Sequence, residues 1–391
     1  MIEYEKALET VLVSATIIGV EQLDFRLSLG RILAEDVHAD IDMPPFNKSA
    51  MDGYACRYED LKNELEVLEV IPAGKSPRKV IGKDQCSKIM TGSELPEGAE
   101  CVIMVEQTEE RPQNRIRFTG EKTKANFVPR GEDVKKDDLV IQGATLIKPQ
   151  HIAVMASVGC TQPLVYKKPL VGVLSTGDEL VEPEILPAAS QIRNSNACQL
   201  VAQTERMGCR AEYFGIALDD EEHSHEMIRK ALDKSDVVLL TGGVSMGDFD
   251  FIPAVLKKMG IEIIFKSVAV QPGRPTVFAT NGKKYIFGLP GNPVSSFNIF
   301  ELLVKPLLYK IQNFDYQPMM IRMPLGADYK RKRSGRKSFI PVRINEQAEV
   351  IPIDYHGSAH LHALVFADGL ISIPIGCTEM KKGELVDVRQ I

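Results

Sequence analysis

Apolar positions along this chain change period repeatedly, and each change predicts a change of architecture. Residues 3–13 are apolar at roughly helical spacing, and after a short break the pattern predicts a second helical piece over 29–37. From Asp40 to about Ile147 the spacing shortens to alternating runs (65–70, 87–90, 101–105, 115–118 and 139–141) separated by turn residues. That is the pattern of a small β-rich domain. Residues 149–159 read as helical again, so the β-rich piece is expected as an insertion between helices of one outer domain.

Residues 168–312 follow a different rule. A short apolar run at 170–174 leads into Ser175-Thr176-Gly177, and strands are predicted at 211–216, 237–240 and 262–265. Helices are predicted between them at 194–207, 219–232 and 251–259. Asn281-Gly282, between apolar runs at 277–279 and 285–288, signals a type I′ hairpin. A long helix over 293–311 closes the segment. Strands alternating with helices of this length predict a mostly parallel sheet covered on both faces. After Pro318 short strands return, at 319–324, 339–344, 350–353, 370–375 and 385–388, and a small β-barrel fits them.

The predicted fold class is therefore α/β and β multidomain. A helical outer domain takes 1–39 and 145–167, a β-rich inserted domain 40–144, a central three-layer α/β domain 168–315, and a C-terminal β-barrel 316–391. A chain of 391 residues is long enough for such a mosaic.

Charge and cysteine usage narrow the function. A net charge of −6 argues against a general nucleic-acid binder, which needs a positive surface, but leaves room for a local basic pocket. The longest apolar stretch, 11–20, is about half of what a bilayer requires, so no membrane span is expected. The N-terminus lacks the basic-then-apolar layout of a signal peptide, and the expected location is the cytoplasm. The seven cysteines, at 56, 86, 101, 160, 198, 209 and 377, are odd in number and never spaced C-x-x-C. That usage fits buried or free thiols in a reduced compartment.

In an open α/β sheet ligands bind at the carboxyl ends of the strands. Three polar loops fall there: Ser175-Thr176-Gly177-Asp178-Glu179, Thr241-Gly242-Gly243-Val244-Ser245-Met246-Gly247-Asp248, and Leu289-Pro290-Gly291-Asn292-Pro293. Glycines let backbone approach a phosphate and hydroxyls add donors. None is a Walker A loop or a dinucleotide fingerprint. Three such loops on one sheet point to an anion site rather than to turns that merely connect. Asp178, Glu179, Asp219, Asp248 and Asp250 accompany them, and grouped carboxylates beside phosphate suit Mg²⁺. Asp178 and Asp220 read better as caps or solvated charges; Glu179 and Asp250 stay open between the two readings.

Two loops of the β-rich domain, 45–54 and 126–133, mix apolar and functional groups, although Asp52-Gly53 and Arg130-Gly131 are also ordinary turn dipeptides. The run 330–337 places six cations in eight positions, as a solvated hairpin tip or as an arm that reaches an oxyanion. His356, His360 and His362 are not expected to bind metal, since Gly357 breaks their context.

These strings together resemble the molybdopterin molybdenumtransferase family (MoeA, gephyrin E domain), over almost the whole chain. The strongest are Ser49-Ala50-Met51-Asp52-Gly53-Tyr54-Ala55, Ile89-Met90-Thr91-Gly92, Gly131-Glu132-Asp133, Ser175-Thr176-Gly177-Asp178-Glu179-Leu180, Thr241-Gly242-Gly243-Val244-Ser245-Met246-Gly247 and Leu289-Pro290-Gly291-Asn292-Pro293. The resemblance implies an elongated four-domain subunit in a homodimer, with each active site shared between the central domain of one subunit and the β-rich domain of the other. It implies that molybdate is placed on the dithiolene of adenylyl-molybdopterin, with release of AMP. Asp52, Asp133, Glu179, Asp219 and Asp250 match its catalytic acidic positions, the last three as Mg²⁺ ligands. Thr91, Ser175, Thr176, Gly177, Gly242, Gly243, Ser245, Pro290, Asn292, Pro293, Arg336 and Ser358 match substrate-binding positions, and Gln271, Arg274 and Ser358 form the implied molybdate pocket. Transient contacts with molybdopterin adenylyltransferase and with molybdoenzyme acceptors follow from the same resemblance.

The chain departs from the family where lysines are usual. Gln271-Pro272-Gly273-Arg274 stands around the Pro-Gly turn, Ser267 replaces a further lysine, and Lys266 lies one step away, which on a strand faces the opposite side. Such losses point to altered oxyanion binding, to a tungstate-preferring paralogue, or to a carrier or scaffold that has lost catalysis. An adenylyltransferase is the other enzyme reading, and the flanking domains argue against it.

Overall fold

The computed structural model describes residues 1–218, 220–243, 252–354 and 357–391, without the side chains of 252–254. The chain divides into two compact units, one of residues 1–22, 30–34 and 164–391, the other of residues 23–29 and 35–163.

In the first unit six strands lie in the order Arg210–Ala217, Leu170–Thr176, Val237–Thr241, Tyr285–Leu289, Val277–Thr280, Glu262–Phe265. The first four run parallel and the last two pairings are antiparallel. Successive side chains leave a strand on opposite faces. Val171, Val173, Val237, Leu239 and Phe287 therefore fill one core with Leu200 and Ile299, while Leu174, Val238, Leu240 and Ile286 fill another with Ile228 and Leu232. Phe278, Phe287 and Phe300 are fully buried, and each contributes about 1.5–3 kcal/mol by leaving water.

The elements at the carboxyl edge start where their caps dictate. Asn194 accepts the amide of Ala197 and opens helix Ser195–Arg206; Asp220 accepts that of His223 and opens Glu221–Lys234. The closing helix is not continuous over 293–311. It runs as Pro293–Ile299, a π turn Phe300–Val304, and Lys305–Lys310. Pro306 has no N–H to offer the preceding turn, and the widened π turn accommodates that loss. The 277–289 hairpin forms, but its turn is not type I′. Gly282 alone has positive φ, and Asn281 Oδ1 instead accepts the amides of Lys283 and Lys284 at 3.1 and 2.9 Å.

Residues 29–37 form no helix. Gly30 takes φ +72°, and the chain then runs beside strand Leu164–Tyr166, with Ala34 N–H donating to the carbonyl of Leu164 at 2.8 Å. Helix Tyr4–Val13 buries Tyr4, Ala7 and Val11, one helical stripe, in the same core as the central sheet. The segments expected to make one helical outer domain are thus split between the two units, because their apolar residues pack in different places. Further along the first unit, strands Val270–Gln271, Lys337–Ile344, Gly369–Ile373, Leu385–Gln390 and Met320–Pro324 lie in that order, with Val350–Pro352 paired to Lys337–Ile344. Gly326 N–H donates to the Val350 carbonyl at 2.8 Å, which brings the chain after Met320–Pro324 back to Val350–Pro352 around Leu325, Ile340, Ile371 and Val388.

The second unit holds a six-stranded sheet in the order Cys101–Met104, Gly53–Cys56, Gln85–Ile89, Glu64–Ile71, Arg115–Phe118, Thr108–Arg111, and helix Pro149–Ser157. Strand Gly53–Cys56 is buried at every position, so no alternation marks it in the sequence. Tyr54 and Cys56 pack with Cys101, Ile103 and Leu65 on one face, and Ala55 with Val102 and Ile89 on the other. All seven cysteines are free thiols.

Candidate functional site

The parallel strands Leu170–Thr176, Val237–Thr241 and Tyr285–Leu289 end side by side, and a cleft of about 300 Å³ opens there. Thr176, Glu179, Asn196, Gly242, Asn292 and Pro293 are among its walls. Gly242 is required by the close approach of two loops. A Cβ there would stand 2.3 Å from the carbonyl oxygen of Thr176, and its φ of +92° disfavours any side chain. Gly243 follows at φ +59°. Glu179 is exposed and folds back over Gly177, whose missing Cβ leaves room for the carboxylate.

Asn196 ties the loops together. Its Nδ2 donates to Thr241 Oγ1 at 2.9 Å and to the Gly291 carbonyl at 2.7 Å. Among the described residues its Oδ1 is buried without a hydrogen-bond partner, and so is Thr176 Oγ1. Buried polar atoms in a folded protein are nearly always satisfied, so two orphans on one cleft wall mark places a ligand would fill. Neither Asn196 nor its neighbour Arg193, also at the wall, stood out in the sequence. Asn194-Ser195-Asn196 reads there only as a helix start.

Ser175 and Pro290 do not line the cleft; both are buried. The Ser175 hydroxyl donates to Asn194 Oδ1 at 3.0 Å, Asn194 Nδ2 donates to the Tyr213 oxygen at 2.8 Å, and Tyr213 donates to Glu182 at 2.8 Å. Burial, and then the Glu182 carboxylate, push the Tyr213 hydroxyl up, so it stays protonated as the donor of that chain. Ser175 supports the wall from beneath through Asn194. Asn292 Nδ2 donates to Ser358 Oγ at 2.8 Å, and the Ser358 carbonyl accepts the amide of Val294 at the start of helix Pro293–Ile299.

A second cleft, of about 490 Å³, is lined by Gln271, Arg274 and Arg336 together with Arg333 and Ser334. Ser358 is not among its walls, so the structure groups Gln271 and Arg274 with Arg336 and places Ser358 at Asn292. Burial lowers the Arg336 guanidinium, and the nearby cations Arg274 and Arg333 lower it further. The basic run separates residue by residue. Lys330 pairs with Glu379 at 3.0 Å, Lys337 pairs with Glu5 at 2.6 Å, Arg331 binds the carbonyls of Cys377 and Arg336, and Lys332 is exposed outside the cleft, while Arg333 and Arg336 face it. Lys266 is exposed and lies outside it.

In the second unit Asp52 and Thr91 come together. One carboxylate oxygen of Asp52 accepts the Thr91 amide at 2.6 Å and the Thr91 hydroxyl at 2.8 Å, and these two bonds, the amide first, hold its carboxyl below the usual range. Asp133 is exposed on the turn after Gly131, which takes φ +70°, and its amide donates to the Met43 carbonyl at 3.0 Å. Asp219, Ser245, Asp248, Asp250 and His356 lie outside the described residues. Among the described residues, no group of three or more His, Cys, Asp or Glu side chains is placed to hold a metal ion. No described helix is long and apolar enough to cross a membrane.

Comparison with known proteins follows this geometry along the chain. Residues 2–159 match the MoeA N-terminal region (domain I and II), 172–310 a probable molybdopterin binding domain, and 322–391 the MoeA C-terminal region (domain IV). These three regions in this order define a protein of the molybdenum-cofactor biosynthesis class. The molybdopterin molybdenumtransferase of Staphylococcus epidermidis is 37% identical over 371 residues, covering 92% of this chain and 88% of that protein; that of Staphylococcus aureus is 35% identical over 373. The crystal structure of the molybdopterin biosynthesis MoeA protein from Pyrococcus horikosii superposes with a TM-score of 0.86 at 32% identity, over 100% of this chain and 99% of that one. The chain belongs to the molybdopterin molybdenumtransferase (MoeA) family.

Proposed function

We propose that this chain is a molybdopterin molybdenumtransferase that inserts molybdate into adenylyl-molybdopterin. The observation that carries the reading is 37% identity over 92% of the chain to a relative of that name, combined with an anion-suited cleft at the strand ends of the matched molybdopterin-binding region. In the reaction, the two dithiolene sulfurs bond to molybdenum while a molybdate oxygen leaves as water with the thiol protons. A water adds to phosphorus as the phosphoanhydride breaks, giving AMP and the pterin monophosphate.

Gly242 and Gly243, which carry no Cβ, let the phosphates approach the loop backbone closely. Thr176 and Asn292 add side-chain hydrogen bonds, and Ser245 is assigned the same role by resemblance alone. Gln271, Arg274 and Arg336 receive the oxyanion, and Ser358 is assigned to it only by resemblance. Mg²⁺ fits the first cleft, where Glu179 joins the two orphaned oxygens of Thr176 and Asn196, a hard donor set. Glu179 would hold the ion, with Asp219 and Asp250 assigned to it by resemblance, and when bound it neutralises charge on the phosphates. Asp52, Thr91 and Asp133 are assigned to the matching site of a partner subunit, in a cytoplasmic homodimer of four-domain subunits ending in a β-barrel. Transient contact with molybdopterin adenylyltransferase and molybdoenzyme acceptors belongs to the same reading.

The test is AMP release from adenylyl-molybdopterin with Mg²⁺ present, with molybdate and then with tungstate. Release that requires the oxyanion supports the transferase, and the ratio of the two rates shows whether the Gln271/Arg274 pocket prefers tungstate. Tight binding without release, under conditions where a relative turns over, replaces it with a carrier.

A further inference from the structure

Three arginines meet at the second cleft, and only two of them are accounted for by the reading above. Arg274, Arg333 and Arg336 line it with Gln271 and Ser334, and no carboxylate does. Among the described residues none of the three is within ion-pair distance of an Asp or Glu. In the same basic run Lys330 and Lys337 have acidic partners, Arg331 is spent on main-chain carbonyls, and Lys332 is exposed and outside the cleft. Arg336 gives one N–H to the Val270 carbonyl at 3.1 Å, yet three like charges without a counter-charge around one space still repel one another; burial lowers Arg336 first, and Arg274 and Arg333 lower it further. A dianion in the cleft relieves it.

The turn that carries Arg333 is built rather than loose. Arg331 Nε donates to the Cys377 carbonyl at 2.6 Å and its Nη1 to the Arg336 carbonyl at 2.9 Å, while further bonds reach Pro374 and the Ser338 hydroxyl. From the other side Gly376 N–H donates to the Ser334 carbonyl at 2.9 Å. Residues 332–335 are therefore pinned at both ends, and a guanidinium on a pinned turn loses less freedom on binding than one on a free loop.

We infer that Arg333 is a third recognition cation of the oxyanion cleft, donating directly to the bound tetrahedral dianion beside Arg274 and Arg336. This rests on the reading of that cleft as the place of the oxyanion. Among the described residues Arg333 has no ion-pair partner to lose, so its removal acts on the ligand and not on the fold.

The experiment is calorimetric titration of the full chain with sodium molybdate, and separately with sodium tungstate, in buffer free of sulfate and phosphate. Charge-assisted hydrogen bonds are worth enough that R333Q is expected to weaken both affinities by about 10- to 100-fold. R333K is expected to recover part of the loss, since charge is restored without the planar fork. K332Q, which removes the neighbouring exposed charge, is expected to change affinity by no more than about twofold. Unchanged affinity in R333Q, with binding intact in the unaltered chain, overturns the role of Arg333 and leaves the cleft standing. An equal loss in K332Q also overturns it, because the effect is then general charge and not contact. Absence of binding in the unaltered chain removes the reading of the cleft and this inference with it.

Discussion

One oxygen of the Asp52 carboxylate accepts both the amide and the hydroxyl of Thr91, at 2.6 and 2.8 Å. Both bonds favour the charged form and hold the carboxyl below its usual range, the amide bond contributing most. A carboxylate lowered in the folded state adds stability above its unfolded pKa and loses it as pH falls through the folded value. Thr91→Val keeps the amide bond and removes the hydroxyl. Its Asp52 carboxyl should titrate at higher pH than in the unaltered chain, seen directly by NMR of the carboxyl carbon. If Asp52 acts as its ionised form in turnover, the acid limb of AMP release moves up with it, and Asp52→Ala stops release with the fold intact. An acid limb that stays in place in Thr91→Val, with the NMR shift present, would separate Asp52 from the chemistry.

Gly53, next to it, sits where a side chain has no room. A Cβ would stand 2.0 Å from the carbonyl oxygen of Ile103 on the neighbouring strand. The obstacle is backbone, so relief requires the strands to separate. Gly53→Ala should cost about 1–3 kcal/mol or more, as overpacking does, and lower the thermal midpoint. Gly335→Ala, with open space around its Cβ and no positive φ, provides the contrast and should melt like the unaltered chain. Equal midpoints for all three chains would show that the strand pair yields more easily than its geometry indicates.

Glu301 is fully buried in the π turn and carries three partners: Arg206 at 2.6 Å, Lys305 at 2.9 Å and Gln203 Nε2 at 3.1 Å. Lys305 is itself only 13% exposed, so deleting the carboxylate leaves a largely buried cation without this counter-charge. Glu301→Ala should cost about 3–5 kcal/mol, the usual penalty for breaking a buried pair from one side. Arg206 is 48% exposed and screened by solvent, so Arg206→Ala should cost under about 1 kcal/mol. Urea unfolding of both variants measures the contrast. Similar midpoints would mean that Lys305 finds water when Glu301 is gone.

Period and capping made the central sheet legible in the sequence. Glu262–Phe265 and the caps at Asn194 and Asp220 follow from strand length and from Asn and Asp before an apolar-periodic run. What escaped has physical causes. The segment 29–37 has apolar residues at helical spacing, yet pairing with Leu164–Tyr166 satisfies its backbone, and long-range pairing overrides local pattern. Gly53–Cys56 is buried on both faces and so shows no alternation. In the site, glycine loops and acidic residues were visible as types, whereas Asn196 was hidden because its role depends on three loops meeting in space. Arg333 was lost inside a run of six cations, whose pairing partners, and hence whose unpaired members, only the fold decides.

Asn196 offers the sharpest test of the first cleft. Its amide nitrogen holds Thr241 and Gly291, while its oxygen is buried and, among the described residues, unpaired. Asn196→Asp removes both donations and places a second carboxylate on a wall that already holds Glu179. Two lost hydrogen bonds at about 0.5–1.5 kcal/mol each, with added repulsion toward a phosphate, should weaken binding of an anionic nucleotide-bearing substrate by about tenfold or more. Asn196→Ala loses the same donations without the charge, so comparing the two isolates repulsion. If a divalent cation occupies the wall, the order changes: the added carboxylate ligates it, and Asn196→Asp should bind Mg²⁺ more tightly than the unaltered chain, read by titration with the metal alone. AMP binding with and without Mg²⁺ therefore decides between them. A wall that meets phosphate directly makes Asp the worse variant in both conditions, and a wall that meets it through a cation makes Asp the better one when Mg²⁺ is present.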